Sequence, residues 1–101
     1  MIRRSFLAIA VLAGLGPCLS AQASDNPRVR LLASTCVTCH GPGGQSLGAV
    51  PSLAGQEKAY LQEAMMEQRA GKRETTVMRK YMNGFTPEEI GQLAEYFSKL
   101  K

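Results

Sequence analysis

The pentapeptide Cys36-Val37-Thr38-Cys39-His40 decides how the rest of the chain is read. Two thiols three residues apart can each add to one vinyl group of a single haem. The imidazole that follows at once is then held beneath the iron as an axial ligand. C-x-x-C-H is the attachment signature of a c-type haem. Two other chemistries use a C-x-x-C pair. Structural zinc takes four ligands, typically from a second Cys/His pair, but this chain has one histidine and only Cys18 besides. A thioredoxin-like redox pair sits near a βαβ pattern, and the sequence has no strand-like alternation.

The first residues bear on how many cysteines count. Arg3 and Arg4 form a positive start, Phe6 to Leu15 an apolar stretch too short to span a bilayer, and Ala21-Gln22-Ala23 an A-x-A cleavage site. Residues 1–23 are therefore expected to be a cleaved export signal, and residues 24–101 one domain in the periplasm. Cleavage removes Cys18, so both remaining cysteines are claimed by haem and no disulfide is needed. It also removes Arg3 and Arg4, leaving ten basic residues against eight acidic ones. Two haem propionates would bring that balance near neutrality, so total charge points neither to nucleic acid nor to a membrane surface. A mature chain of 78 residues struggles to bury enough apolar surface unaided, and a covalent haem would supply the missing core.

Working outward from the motif, Asn26-Pro27 opens a helix as N-cap and first residue. Val29, Leu32, Ala33 and Cys36 follow at helical spacing, and Gly41-Pro42 ends the helix just after His40. Residues 41–55 are glycine-rich and without period; placed after the motif, they are expected to wrap the proximal edge of the haem. An axial histidine needs an acceptor for its second ring N–H, and the carbonyl of Pro51 is the candidate. Glu57 to Ala70 reads as a second helix closed by Gly71, with Tyr60, Leu61, Ala64, Met65 and Gln68 inward and Tyr60 in the core. Thr86-Pro87-Glu88-Glu89 is a capping box. It opens a last helix whose stripe is Ile90, Leu93, Ala94, Phe97 and Leu100.

The second axial ligand of a low-spin carrier cannot be a histidine here. A thioether is the remaining choice, and Met/His ligation raises the reduction potential. The candidates after cleavage are Met65, Met66, Met78 and Met82. The first two sit mid-helix, where methionine is commonly a core filler. Met78 and Met82 lie between helices, in the segment 74–85, where a chain can cross the distal face. Position favours Met78 and leaves Met82, packed in a helical turn, as the alternative.

Taken together, the chain resembles the class I c-type cytochromes. It is nearest in pattern to cytochrome c4-like domains and to the cytochrome subunits of flavocytochrome c sulfide dehydrogenases. The residues carrying this are Cys36 to Gly41, Pro51-Ser52-Leu53-Ala54-Gly55-Gln56, Tyr60-Leu61, Gly71-Lys72-Arg73, Thr76-Val77-Met78 and Gly84 to Ile90 continuing to Leu93-Ala94-Glu95-Tyr96-Phe97. The resemblance implies a small all-α fold of three to four helices around one covalent haem c. It places haem on Cys36 and Cys39 and iron between His40 and Met78, with the Pro51 carbonyl accepting from His40. In the absence of tryptophan, Gln56, Arg73 and Tyr81 are left as propionate or distal-side contacts.

Nothing else in the chain reads as a nucleophile, an acid–base pair or a substrate pocket, so electron transfer rather than enzymatic catalysis is expected. The resemblance implies a haem subunit that takes electrons from a sulfide-oxidising flavoprotein. The rivals are a free c4- or c5-like carrier feeding an oxidase, and an enzymatic or gas-binding haem with an open sixth site. Arg69, Lys72, Arg73, Arg79 and Lys80 are either a docking patch or a solvated face.

Overall fold

The computed structural model describes Gly14 and residues 26–74 and 77–101. The expected export signal and cleavage site lie outside the described residues, Gly14 apart. Four helices make up the described chain: α1 (Pro27–His40), α2 (Lys58–Arg69), α3 (Met78–Asn83) and α4 (Pro87–Ser98). Among the described residues there is no strand, and no helix is long and apolar enough to cross a membrane.

The helix starts are set by local chemistry. Asn26 Oδ1 accepts from the Arg28 N–H at 2.9 Å, with Pro27 behind it at the first helical position. At α4 the capping box is complete: Thr86 Oγ1 accepts from the Glu89 N–H at 3.1 Å and Glu89 Oε1 accepts from the Thr86 N–H at 3.0 Å. These bonds satisfy donors that a helix end otherwise leaves unpaired. The other oxygen of Glu89 takes a 3.0 Å bond from Arg28, which ties the start of α4 to the start of α1.

The Thr86 N–H, then Arg28, hold the Glu89 carboxyl below its ordinary pKa. A carboxylate with a lowered folded pKa stabilises the fold above the usual carboxylate range, and that contribution is lost as pH falls through the lowered value.

Helix α4 is the spine of the core. Ile90, Leu93 and Ala94 are fully buried and Phe97 nearly so, and α4 packs on both α1 and α2. Each such large apolar side chain contributes roughly 1.5–3 kcal/mol by leaving water. Val29 and Ala33 of α1, Leu61 and Met65 of α2, and Met82 of α3 complete the buried cluster.

The segment between α2 and α4 contains the six-residue helix α3, and Met82 packs in its last turn at 1 % exposure, as the alternative reading had it. One expectation changes. Tyr60, expected in the core, is 52 % exposed. It stands on the first turn of α2, where the neighbouring Leu61, and not Tyr60, joins the buried cluster.

Thr86→Ala removes one half of the box and leaves the Glu89 N–H without its acceptor. It is expected to lower the unfolding free energy of the haem-loaded protein by about 1 kcal/mol, measured by denaturant titration, with little change in the haem spectrum.

Candidate functional site

The end of α1 delivers Cys36, Cys39 and His40 within little more than one helical turn. The geometry after it depends on glycine. Gly41 has φ +95°, and a Cβ there would stand 1.8 Å from the Gln45 carbonyl oxygen, so only glycine fits. The chain then turns through a short 3-10 segment, Pro42–Gly44. The loop is not a slack connector. The Gly44 carbonyl accepts from the N–H groups of Leu53 and Ala54 at 2.7 and 3.0 Å, and the Ser46 N–H donates to Ser52 Oγ at 2.8 Å. Gly44 lies against the Phe97 ring, and Gly55 N–H donates to the Phe97 carbonyl at 3.0 Å. Core helix α4 thus fixes the loop's depth.

The loop's cross-links place the Pro51 carbonyl oxygen 2.6 Å from His40 Nδ1. The imidazole is 7 % exposed. With Nδ1 donating to Pro51, Nε2 is the ring nitrogen left to bind a metal, and the ring's orientation is fixed. The expected Pro51 contact is present.

Cys36, Cys39, His40 and Met78 all border one cleft of about 470 Å³. Its walls are largely apolar, from Leu53, Leu61, Ala64, Met65, Met82 and Phe85. Apart from the imidazole, Arg73 is the one ionisable cation among the described residues that border it, with Gln56 and Tyr81. Both thiols are unpaired. Burial pushes the Cys36 thiol up from its usual pKa, against a smaller opposing effect of Thr35.

A haem c fits this donor set. A flat apolar macrocycle matches the walls, two thiols and an imidazole stand together on one side, and Arg73 suits a propionate. Among the described residues no group of three or more His, Cys, Asp and Glu side chains is gathered to hold a bare metal ion.

The methionines separate by packing. Met65 and Met82 border the cleft but belong to the buried core, at 8 % and 1 % exposure. Met66 is not among the cleft's lining residues. Met78 borders the cleft, is half-buried, and starts α3.

The basic cluster is partly dismantled by internal bonds. Arg69 Nε donates to the Phe85 carbonyl at 3.1 Å, and Arg73 pairs with Glu67 at 2.6 Å. The Arg79 guanidinium lies over Gly71, where a Cβ would stand 2.9 Å from its Cζ. Lys72 and Lys80 are exposed. Sequence reasoning missed these partners because each is a fold contact rather than a local pattern.

With this geometry in hand, residues 29–101 match the family model of cytochrome c. The chain is 38% identical over 73 residues to the cytochrome subunit of sulfide dehydrogenase from Chlorobaculum tepidum, covering 72% of this chain and 66% of that protein. It is 37% identical over 68 residues to cytochrome c-554(548) of Halomonas halodenitrificans, covering 63% of this chain and 82% of that one. It is 33% identical over 79 residues to cytochrome c4 of Azotobacter vinelandii, covering 68% of this chain and 38% of that one. The chain thus spans just under two thirds of the first of these relatives and well under half of the last.

Gly41→Ala is expected to destabilise the haem-loaded protein by about 1–3 kcal/mol, because a positive φ and a backbone clash coincide. Gly43→Ala, at φ +64° with nothing near its Cβ, should cost distinctly less. Thermal unfolding of the two variants compares them, and equal costs would mean that the Gln45 contact does not constrain the loop.

Proposed function

The chain belongs to the cytochrome c family, whose members carry covalently bound haem c on a small all-α class I fold, and from that premise we propose that it is a periplasmic monohaem electron carrier. In this reading residues 1–23 are an export signal and residues 24–101 the working domain. Cys36 and Cys39 form the two thioethers, His40 binds iron through Nε2, and Met78 supplies the sixth ligand.

Bound haem iron supplies one-electron chemistry between its ferric and ferrous forms. The chain's own residues set the conditions. Pro51 accepts from His40 Nδ1, which fixes the ring's tautomer and orientation and makes Nε2 a better donor. Met78 is the thioether best supported as a ligand, because it borders the cleft without being committed to the core. A thioether opposite histidine raises the reduction potential. The cleft's apolar walls would keep water from a bound iron, and Arg73, which borders the cleft beside Glu67, would be the cation available to a propionate.

The partner proposed is a sulfide-oxidising flavoprotein, with this chain as its haem subunit. The observation carrying it is the 38% identity to a cytochrome subunit of sulfide dehydrogenase. A second reading, a freely diffusing carrier, is favoured by the match that covers 82% of the cytochrome c-554(548) relative. Leu47 and Val50 are exposed beside Cys39 and offer an apolar contact near the thioether edge. Lys72 and Lys80 offer charge. A stable complex would rest on the first, and a transient encounter on the second.

Cys36→Ala and Cys39→Ala are each expected to weaken, and the double variant to abolish, haem staining of the denatured band from periplasmic extracts. Met78→Ala should abolish the weak far-red ferric band and lower the potential. Met82→Ala should keep both but cost about 2–5 kcal/mol of stability as a core truncation. The reverse spectral result would transfer the ligand to Met82. Co-purification of a flavoprotein with the tagged holoprotein tests the subunit reading. If charge guides docking, reversing Lys72 and Lys80 to glutamate should slow association several-fold at low salt, with the difference vanishing at high salt. Stopped-flow rates equal to wild type at every salt would remove the charge from docking.

A further inference from the structure

We propose that Glu67 is a positioning residue of the redox site: it grips the Arg73 guanidinium at the cleft, competes with a haem propionate for its charge, and so lowers the reduction potential. The inference rests on the haem reading of the cleft given above.

The pair is built by the way α2 ends. The Gly71 N–H donates to the Gln68 carbonyl at 3.2 Å, the Lys72 N–H donates to the Glu67 carbonyl at 2.9 Å, and Gly71 has φ +73°. These are the two bonds and the left-handed residue of a Schellman motif. The motif turns the chain back along α2, and Arg73 Nε comes to 2.6 Å from Glu67 Oε2. Glu67 stands in the last turn of α2, where the helix dipole disfavours a carboxylate. Arg73 offsets that cost. Its bond holds the Glu67 carboxyl below its ordinary pKa, against a smaller opposing effect of desolvation.

Arg73 borders the cleft, whereas Glu67 is not among the residues that line it. The carboxylate therefore touches the site only through the guanidinium. Its bond takes Nε and leaves the four N–H donors of the two terminal nitrogens. Tyr60, which also borders the cleft, acts on Arg73 in the same sense as Glu67 and more weakly. An exposed ion pair is usually worth little to stability. This one differs in that its cation faces the place where a propionate charge would lie.

The sign follows from charge. Ferric haem carries one more positive charge than ferrous haem, so an unmatched propionate favours the ferric form. A guanidinium already paired with one carboxylate attracts a second less strongly. Glu67 thus leaves the propionate less well matched, and its own negative charge acts in the same direction over a longer distance. Both effects make reduction harder. The Arg73 and Glu67 side chains are 40 % and 33 % exposed, so screening keeps the effect modest.

The test uses haem-loaded protein with Glu67→Gln, Arg73→Gln and the double variant. Glutamine keeps an acceptor oxygen at position 67 and removes the charge. Equilibrium redox titration is combined with thermal unfolding and with haem staining of the denatured band. Glu67→Gln is expected to raise the ferrous-to-ferric ratio roughly twofold at fixed ambient potential, about 18 mV at 59 mV per tenfold for one electron. Arg73→Gln should lower the ratio. In the Arg73→Gln background the Glu67→Gln shift should fall to less than half its size, because the group through which it acts has gone. A merely structural pair would move the unfolding midpoint and leave the potential in place. An unmoved or lowered ratio in Glu67→Gln, or an equal shift in both backgrounds, overturns this proposal and leaves the haem reading standing. A wild-type band without haem stain overturns both.

Discussion

The hydrogen bond between His40 and the Pro51 carbonyl is the constraint on which the site depends. The two groups are eleven residues apart and meet at 2.6 Å. That separation is bridged by a loop that could not hold position by itself. It is held because Gly41 lets the chain reverse directly after the imidazole, and because Gly44 and Gly55 lock onto Phe97 in the core of α4. The order of cause runs from the capping box, which starts α4 in the right place, through Phe97, to the loop, to the carbonyl, and finally to the ring. A side chain remote from the haem can therefore disturb the axial ligand without touching it.

The same chain of contacts explains how so small a domain supports a buried cofactor. The core is one spine of α4 residues, with two residues each from α1 and α2 and one from α3. The large apolar cleft beside it is lined by many of the same side chains: Leu61, Met65, Met82 and Phe97 belong to both. These residues are core on one side and cofactor wall on the other. Folding and haem binding are thus two descriptions of the same burial, as expected for a chain too short to bury enough surface by itself. Covalent attachment of haem, which the cytochrome c family implies, would make that arrangement permanent.

How much of this was legible in the sequence follows from the range of each interaction. The haem motif, the Asn26 and Thr86 caps, the α4 stripe and the glycine after His40 are local patterns, and each appears where the residues place it. The Pro51 acceptor was legible because axial histidines require one and the loop offered a suitable carbonyl. Of helix α3 only the turn around Met82 was legible, since six residues give too little period to read and only Met82 among them is buried. Tyr60 was misplaced because an aromatic beside Leu61 looks like core, whereas only Leu61 of the two joins the buried cluster. The basic cluster looked uniform in sequence, yet Arg69 caps a distant carbonyl and Arg73 pairs with Glu67. Both partners are fixed by the fold. Gln68 was read merely as an inward position; that its side-chain oxygen is buried without a partner is a property of the packed wall alone.

Met78 and Met82 show how one short helix serves two purposes. They are four residues apart, so both lie on one face of α3 and both border the cleft. A thioether that is fully packed has spent its freedom on the core, whereas one that ligates iron must approach it along a set direction. Burying Met82 to 1 % anchors the last turn of α3 and fixes the helix's rotation, and that rotation leaves Met78 half-buried over the cleft. If Met78 ligates the iron as proposed, the buried methionine aims the other, and the two similar side chains are not interchangeable.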